Sequence, residues 1–288
     1  MTDRRTFCLA SGATLLGLIH GNTWADTGAL QDALRDIEAT ARGRLGVHLI
    51  DTATGREHGW RADERFLMLS SFKLLASALV LDRADRGEES LERRIRYRRQ
   101  DLVSWSPVTE RHVGGEGLSL AQLCEATITT SDNTAANLIL ASYGGPAALT
   151  AYARRLGDRV TRLDRTEPEL NRRAAGGEPL DTTTPRAMAH TLRALLVGDA
   201  LAPASRARLL QWLLANTTGG KRLRAGLPAG WRIGEKTGTA GDDANDIGIA
   251  FPPQRAPVIV TAYLAESATD GATREAALAS VGRLLARL

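Results

Sequence analysis

A chain of 288 residues, 43% of them hydrophobic and 24% charged, is large enough for one sizeable domain or two closely packed units of soluble globular character. Its formal net charge of +4 is small and scattered, which argues against a nucleic-acid partner; the densest basic run, ERRIRYRRQ at 92–100, reads as a solvated face. Two cysteines exclude a disulfide scaffold, and five dispersed histidines form no ligand pattern, so neither a metal nor another cofactor is expected.

The first 25 residues, MTDRRTFCLASGATLLGLIHGNTWA, have a basic start, a short apolar stretch and a small-residue end. This is the anatomy of an export signal, and Arg4-Arg5 before Thr6-Phe7 resembles the twin-arginine type, with cleavage expected after Ala25. The stretch is too short to span a bilayer, and no later run is long and apolar enough, so a membrane association is not expected after cleavage. Removing Arg4 and Arg5 against Asp3 takes +1 from the total of +4 and leaves about +3. Cys124 then stands alone. It shares a helical face with Leu120, Leu123 and Thr127 and is expected to be a buried hydrophobe, not a reactive thiol.

In the remaining chain, LQDALRDIEATA (30–41) has helical spacing. RLGVHLID alternates, DTATG turns and REHGW follows, so 44–60 reads as a β-hairpin. From 70 to 214 the pattern is helix after helix. Ser70 to Asp85 is apolar at Phe72, Leu75, Ala76 and Leu79, and Ser119 is an N-cap. Helices are expected over 134–142, 146–156, 185–197 and 203–215, with Thr184-Pro185 as a cap-then-proline start. Strand patterns return at 231–238, 246–251 and 257–265, and a last helix covers 272–287. The fold class is therefore α/β (α+β). An antiparallel sheet flanked by helices is built from 26–65 and 215–288, and an all-helical part, 66–214, is inserted between them. A cleft between the two parts is the expected site.

Of 37 basic residues only Lys73, Lys221 and Lys236 are lysine. An ammonium can lose its proton in a suitable site, whereas arginine effectively cannot. Two of the three lie in short polar motifs. In SSFK (70–73) the serine sits at a helix start with the lysine one turn on, so a base and free backbone N–H groups are both at hand. SDN (131–133) marks a junction between helices, and KTGT (236–239) closes a strand with a cation, two hydroxyls and a glycine. Each is unremarkable alone.

Together and in this order they are a known signature of serine β-lactamases and penicillin-binding proteins. RTEPELN (165–171), DTTTP (181–185), NTTGGKRLRAG (216–226) and EKTGT (235–239) extend the resemblance to class A β-lactamases over nearly the whole mature chain. That resemblance implies hydrolysis of a small β-lactam by an exported, periplasmic monomer. It implies that Ser70 is the nucleophile, that Lys73 and Glu167 manage its proton with either as the acylation base, and that Ser131 relays a proton to the leaving nitrogen. The backbone N–H groups of Ser70 and Thr239 would form the oxyanion hole. Asn133 would meet the substrate's side-chain amide; Lys236, Thr237 and Thr239, with Arg222, would hold its carboxylate; Trp105 would line the entrance. Lys221 is read as surface.

RTEPELN would supply deacylation. Glu167 is the expected base for the hydrolytic water, Asn171 would hold that water, Pro168 would stiffen the backbone, and Glu169 is read as structural. Arg165 and Asp181 would pair across the loop neck through two parallel hydrogen bonds. Several positions depart from the family pattern. RRAAGGEPLD carries an extra residue. Leu69 and Ala240 stand where carbapenem-specialised members bridge cysteines, although Arg222 and Trp105 resemble that subgroup. Ser77 stands opposite Cys124 where others have a disulfide. A D,D-peptidase or a non-hydrolysing β-lactam receptor would share the serine and lysines but lack the pair Glu167 and Asn171. No GxSxG or HExxH motif points to another hydrolase.

Overall fold

The computed structural model describes residues 27–288, so the leader lies outside the described residues. Helix α1 (Thr27–Ala41) leads into the hairpin β1 (Arg44–Asp51) and β2 (Glu57–Trp60), and a short strand β3 (Phe66–Leu67) opens the inserted part, which is not all-helical as the sequence pattern suggests but contains short two-residue strands. The inserted part contains α2 (Phe72–Asp85), β4 (Arg94–Ile95), β5 (Leu118–Ser119), α3 (Leu120–Thr129), α4 (Asn133–Ser142), α5 (Pro146–Arg155), β6 (Thr182–Thr183), α6 (Pro185–Leu196) and α7 (Pro203–Leu214). The chain then returns through α8 (Leu223–Gly226), β7 (Arg232–Ala240), β8 (Asp243–Phe251), β9 (Val258–Ala265) and α9 (Gly271–Leu284).

The five long strands form one antiparallel sheet in the order β2-β1-β9-β8-β7. Its central strand shows why the elements stack as they do. Alternate side chains of a strand face opposite ways. In β9, Val258, Val260, Ala262 and Leu264 pack with α1 and α9, whereas Ile259 and Tyr263 join the larger core beneath the inserted helices. The strand is buried on both faces and so reads as a nearly continuous apolar run.

At the centre of the helical part lies α2. The sequence pattern suggested one apolar face, but every residue from Phe72 to Leu81 is buried, including Lys73 and Ser77. A helix buried all round is a core element. It is surrounded by α3, α4, α5 and α7, so its position is determined from several sides. The α-helix proper starts at Phe72; Ser70 lies in a 3₁₀ turn, Leu69–Ser71, just ahead of it. Local signals perform as expected elsewhere. Ser119 caps α3 in a reciprocal pair with Gln122, and the Thr184 hydroxyl accepts from the Ala187 N–H. The two-residue strands β3 to β6 are too short to leave a period in the sequence. Cys124 is buried beside Ser77, and burial pushes its thiol up to about 12, which removes thiolate reactivity. In the run 92–100 the arginines are exposed, Arg93 pairs with Glu89, and Tyr97 is buried with its hydroxyl on the Thr109 carbonyl. Among the described residues no helix is long and apolar enough to cross a membrane.

Helix α8 crosses α9 at two glycines. A Cβ at Gly226 would lie 1.8 Å from the Ala279 carbonyl oxygen, and one at Gly282 would lie 2.2 Å from that of Leu223. Arg222 is the residue that caps α8, so this contact positions it. Gly226→Ala is expected to lower stability by about 1–3 kcal/mol through overpacking. Urea denaturation measures the change, and an unaltered midpoint would mean that the crossing can yield.

Candidate active site

A cleft of about 390 Å³ opens between the free edge of β7 and the helical part. It is lined by Ser70, Ser131, Asn133, Glu167, Asn171, Arg222, Thr237 and Thr239, with Trp105 at its mouth. The close approach of two elements makes it. A Cβ at Gly238 would fall 2.8 Å from the Leu69 Cβ and 3.2 Å from the Ser70 N, so β7 can reach the turn that carries Ser70 only with glycine there. The side-chain amide of Asn245 fastens the same junction, donating to the Leu67 and Met68 carbonyls at 2.9 and 3.1 Å.

The Ser70 hydroxyl has two basic neighbours. Lys73 Nζ donates to Oγ at 2.9 Å, and Oγ donates to Glu167 Oε1 at 3.3 Å. Lys73 and Glu167 are 3.0 Å apart with both side chains fully buried. Lys73 Nζ also donates to the Ser131 carbonyl at 2.9 Å and to Asn133 Oδ1 at 2.5 Å. On the far side of Ser131, Lys236 Nζ donates to Oγ at 3.1 Å and to the Thr237 carbonyl at 2.8 Å. Ser131 thus stands between two buried amines. Burial lowers the pKa of both lysines, against the pull of Glu167 on Lys73; Lys73 and Arg222 push Lys236 further down.

Glu167 is held at backbone and side chain alike. Its N–H donates to Asn137 Oδ1 and its carbonyl accepts from Asn137 Nδ2, both at 2.9 Å. Asn171 Nδ2 donates to Glu167 Oε2 at 2.6 Å, while Asn171 Oδ1 is a buried acceptor without a protein partner. The Glu167–Pro168 peptide is cis. Glu169 is exposed and opens a 3₁₀ turn that ends at Asn171. The loop neck closes on Asp181, which is fully buried. Asp181 Oδ1 accepts from the N–H groups of Asp164 and Arg165, and Oδ2 accepts from Arg165 Nε at 2.6 Å. The pairing differs from the parallel fork expected. The second arm of Arg165, Nη2, instead spans the loop to the Arg172 carbonyl at 2.5 Å, because backbone N–H groups already occupy the other carboxylate oxygen.

The other end of the cleft is built for an anion. Arg222 is buried and donates to the Gly238 and Asn245 carbonyls and, through Nη2, to Thr239 Oγ1 at 2.6 Å. The Thr239 hydroxyl, already an acceptor, keeps its proton for a ligand. Thr237 Oγ1 meets Thr218 Oγ1 at 2.5 Å. Behind Arg222 lie Glu235 and Asp246, whose carboxyls are pushed up by burial; Asp246 Oδ2 accepts from the Leu223 N–H, and Glu235 pairs with Arg224 at 2.8 Å. Asn133 has both ends of its amide engaged, Oδ1 by Lys73 and Nδ2 by the Ser104 carbonyl at 2.8 Å. Trp105 is 65% exposed, and its Nε1 donates to the Thr130 carbonyl. Backbone strain gathers here: Leu69, Trp105, Ser131 and Asp181 all have φ between 48° and 62°, where side chains other than glycine are disfavoured.

The structure brings together the residues selected from sequence and leaves Lys221 on the surface, as read. Four positioning residues escaped that reading. Asp132, the middle of SDN, is buried and accepts from the N–H groups of Val108, Thr109 and Ala135. Asn137 lies four residues after Asn133 on the same helical face, a spacing that could have drawn attention to it. Thr218 lies in a quoted motif but was given no role. Asn245 carries no local signal, because its partners are 177 and 178 residues away in the chain.

A family model described as "Beta-lactamase enzyme family" matches residues 29–288. Beta-lactamase L2 of Stenotrophomonas maltophilia is 47% identical over 303 aligned positions, covering 100% of this chain and 99% of its own. Beta-lactamase OXY-1 of Klebsiella oxytoca is 44% identical over 98% of this chain and 97% of its own. Among solved structures, an ancestral (GNCA) class A β-lactamase is 61% identical with a TM-score of 0.87, covering 89% of this chain and 98% of that one. The chain belongs to the class A serine β-lactamase family, and its activity is hydrolysis of the β-lactam amide bond.

Two outcomes follow from this geometry. With few lysines in the chain, ¹³C-labelled ε-carbons resolve the two buried amines, and both are expected to titrate below 10.5. In that window the unfolded chain binds more protons than the folded one, so this contribution to stability rises with pH up to the ordinary lysine value. Titration of both amines at or above 10.5 would remove the desolvation argument. Asp181→Ala should release the loop neck, quicken amide exchange across 165–172 and slow deacylation on the order of 10–100-fold. Wild-type exchange and kinetics across several substrates would contradict that role.

Proposed function

We propose that Ser70, Lys73, Ser131 and Glu167 carry out the hydrolysis through a serine acyl-enzyme. The observation that carries this reading is Ser70 Oγ within hydrogen-bond reach of both Lys73 and Glu167, with Asn171 on the far oxygen of the same carboxylate. Oγ attacks the lactam carbonyl as its proton passes to the Lys73–Glu167 pair; their 3.0 Å contact means that proton uptake belongs to the pair and not to either member. The backbone N–H groups of Ser70 and Thr239 receive the oxyanion, one from the turn ahead of α2 and one from the edge of β7. Ser131, fed by Lys73 and Lys236, protonates the departing nitrogen as the C–N bond breaks. Glu167 then takes a proton from a water whose position the Asn171 acceptor helps define. The resulting hydroxide attacks the ester carbonyl, and collapse returns the proton to Oγ.

In this reading Lys236, Thr237, Thr239 and Arg222 hold the substrate carboxylate, Asn133 lies along its side-chain amide, and Trp105 flanks the entrance. We further propose an exported monomer, periplasmic in a cell with an outer membrane and released by cleavage after Ala25. The basic-apolar-small order of the first 25 residues supports export, and the closed internal cores favour a single chain.

The test uses a chromogenic cephalosporin with intact-mass detection. Wild type should turn over, whereas Glu167→Ala should accumulate one covalent adduct per chain and lose about 10²–10⁴-fold in steady-state rate. Equal turnover by the two would exclude Glu167 as the deacylation base. A stoichiometric burst from wild type with no further product would instead indicate a receptor or peptidase.

A further inference from the structure

Away from the cleft, the fold assembles a cluster that sequence spacing concealed. His48 lies on β1, Glu57 on β2 and His190 on α6. The register pairs Ile50 with Glu57 and His48 with Gly59, so His48 and Glu57 are diagonal neighbours on one sheet face. Helix α6 packs against that face, fastened by Thr261 Oγ1, which donates to the Pro185 carbonyl at 2.9 Å. The result is His48 Nε2 2.9 Å from Glu57 Oε2 and His190 Nε2 3.5 Å from the same oxygen, with one ligand atom from each residue within 4.8 Å of the others.

We infer that His48, Glu57 and His190 form a binding site for one divalent transition-metal ion of the zinc type, joining the β1–β2 hairpin to α6. Two imidazoles and one carboxylate are a recurrent donor set for such ions, with a fourth position open to water. A tetrahedral ion with bonds of 2.0–2.2 Å separates its ligand atoms by about 3.3–3.6 Å. The Glu57–His190 distance already matches. The His48–Glu57 edge of 2.9 Å must open by about half an ångström, which the half-buried Glu57 side chain can supply, and His190, whose side chain is 47% exposed, has the freedom to close the third edge, while His48 is fully buried and held. Without the ion, the Nε2 proton of His48 meets Glu57; metal binding moves that proton to Nδ1, a buried atom with no protein partner, and so frees the Nε2 lone pair for the ion. Room for the His48 ring comes from Gly59, where a Cβ would lie 3.1 Å from Nδ1.

The surrounding charges are compatible with a dication. Arg186 Nη1 reaches Glu57 Oε2 at 3.4 Å, but its Nε and Nη2 hold Asp63 at 2.8 and 3.1 Å, so the guanidinium is shared with a second carboxylate and offsets Glu57 only in part. A surface cavity of about 330 Å³, lined in part by His190, Arg186 and Asp63, gives the ion access from solvent. The site is separate from the lactam cleft and shares no lining residue with it.

The experiment is calorimetric titration of the purified, metal-stripped protein with zinc chloride, alongside melting curves with and without zinc. One zinc should bind per chain and raise Tm. His190→Ala and Glu57→Gln should each weaken binding by more than the roughly 10–100-fold that loss of an outer-shell partner costs, and should abolish the Tm rise. His190 is half exposed, so its variant should keep the metal-free Tm and wild-type lactam hydrolysis. His58→Ala, which changes a histidine on the opposite face of β2, should bind zinc as wild type does. Absence of saturable binding would overturn the proposal. So would binding undiminished in His190→Ala and Glu57→Gln, or diminished as much in His58→Ala.

Discussion

The buried ion pair of Lys73 and Glu167 is the constraint around which the molecule is arranged. Two charges taken from water cost several kcal/mol each unless their remaining hydrogen-bonding capacity is met. Here it is met from three directions. Lys73 stands on α2, which is enclosed by other helices; Ser131 comes from the junction before α4 and Asn133 from the first residue of that helix; Glu167 comes from a loop held by Asn137 and Asn171. None of these supports is optional to the others, because removing one leaves a buried charge with fewer partners. The same arrangement that is costly to build leaves Ser70 Oγ beside a carboxylate that can take its proton and an amine that can do so only after passing its own proton to that carboxylate.

A second requirement is closeness between parts distant in sequence. The Arg222 and Thr239 end of the cleft belongs to α8 and β7, and Ser70 belongs to the turn ahead of α2. Gly238 removes the Cβ that would keep them apart, and Asn245 holds the backbone leading to Ser70. Left-handed backbone at Leu69, Trp105, Ser131 and Asp181 is the conformational expense of turning the chain so sharply around one small volume. The packing of α2 and the sheet core keeps those residues from relaxing.

Much of this was legible in the sequence, for identifiable reasons. Strong periodicity located the long helices and the five principal strands to within a few residues, and caps at Ser119 and Thr184 acted through local hydrogen bonds. The site residues were legible because their chemistry is concentrated in short motifs and because lysine is scarce outside them. The reading fell short where partners are remote. α2 appeared amphipathic because serine and lysine interrupt its pattern, yet both are buried, Lys73 against polar groups that other elements deliver and Ser77 beside Cys124 with no hydrogen-bond partner for its hydroxyl among the described residues. The Arg165 fork was expected from the two side chains alone, but backbone N–H groups at the loop neck compete for the same carboxylate.

The amino-acid sequence by itself determined the α/β plus helical architecture and the family, and it pointed to the motif residues that line the cleft, since periodicity, capping and motif chemistry act over a few residues. Only the tertiary structure decided how those groups are paired. It put Asn137 on the Glu167 backbone, Asn245 behind Ser70, and His190 beside His48 and Glu57. The reason is geometric. Hydrogen bonds and ion pairs depend on ångström-scale distances between side chains, and packing sets those distances between elements far apart in the chain.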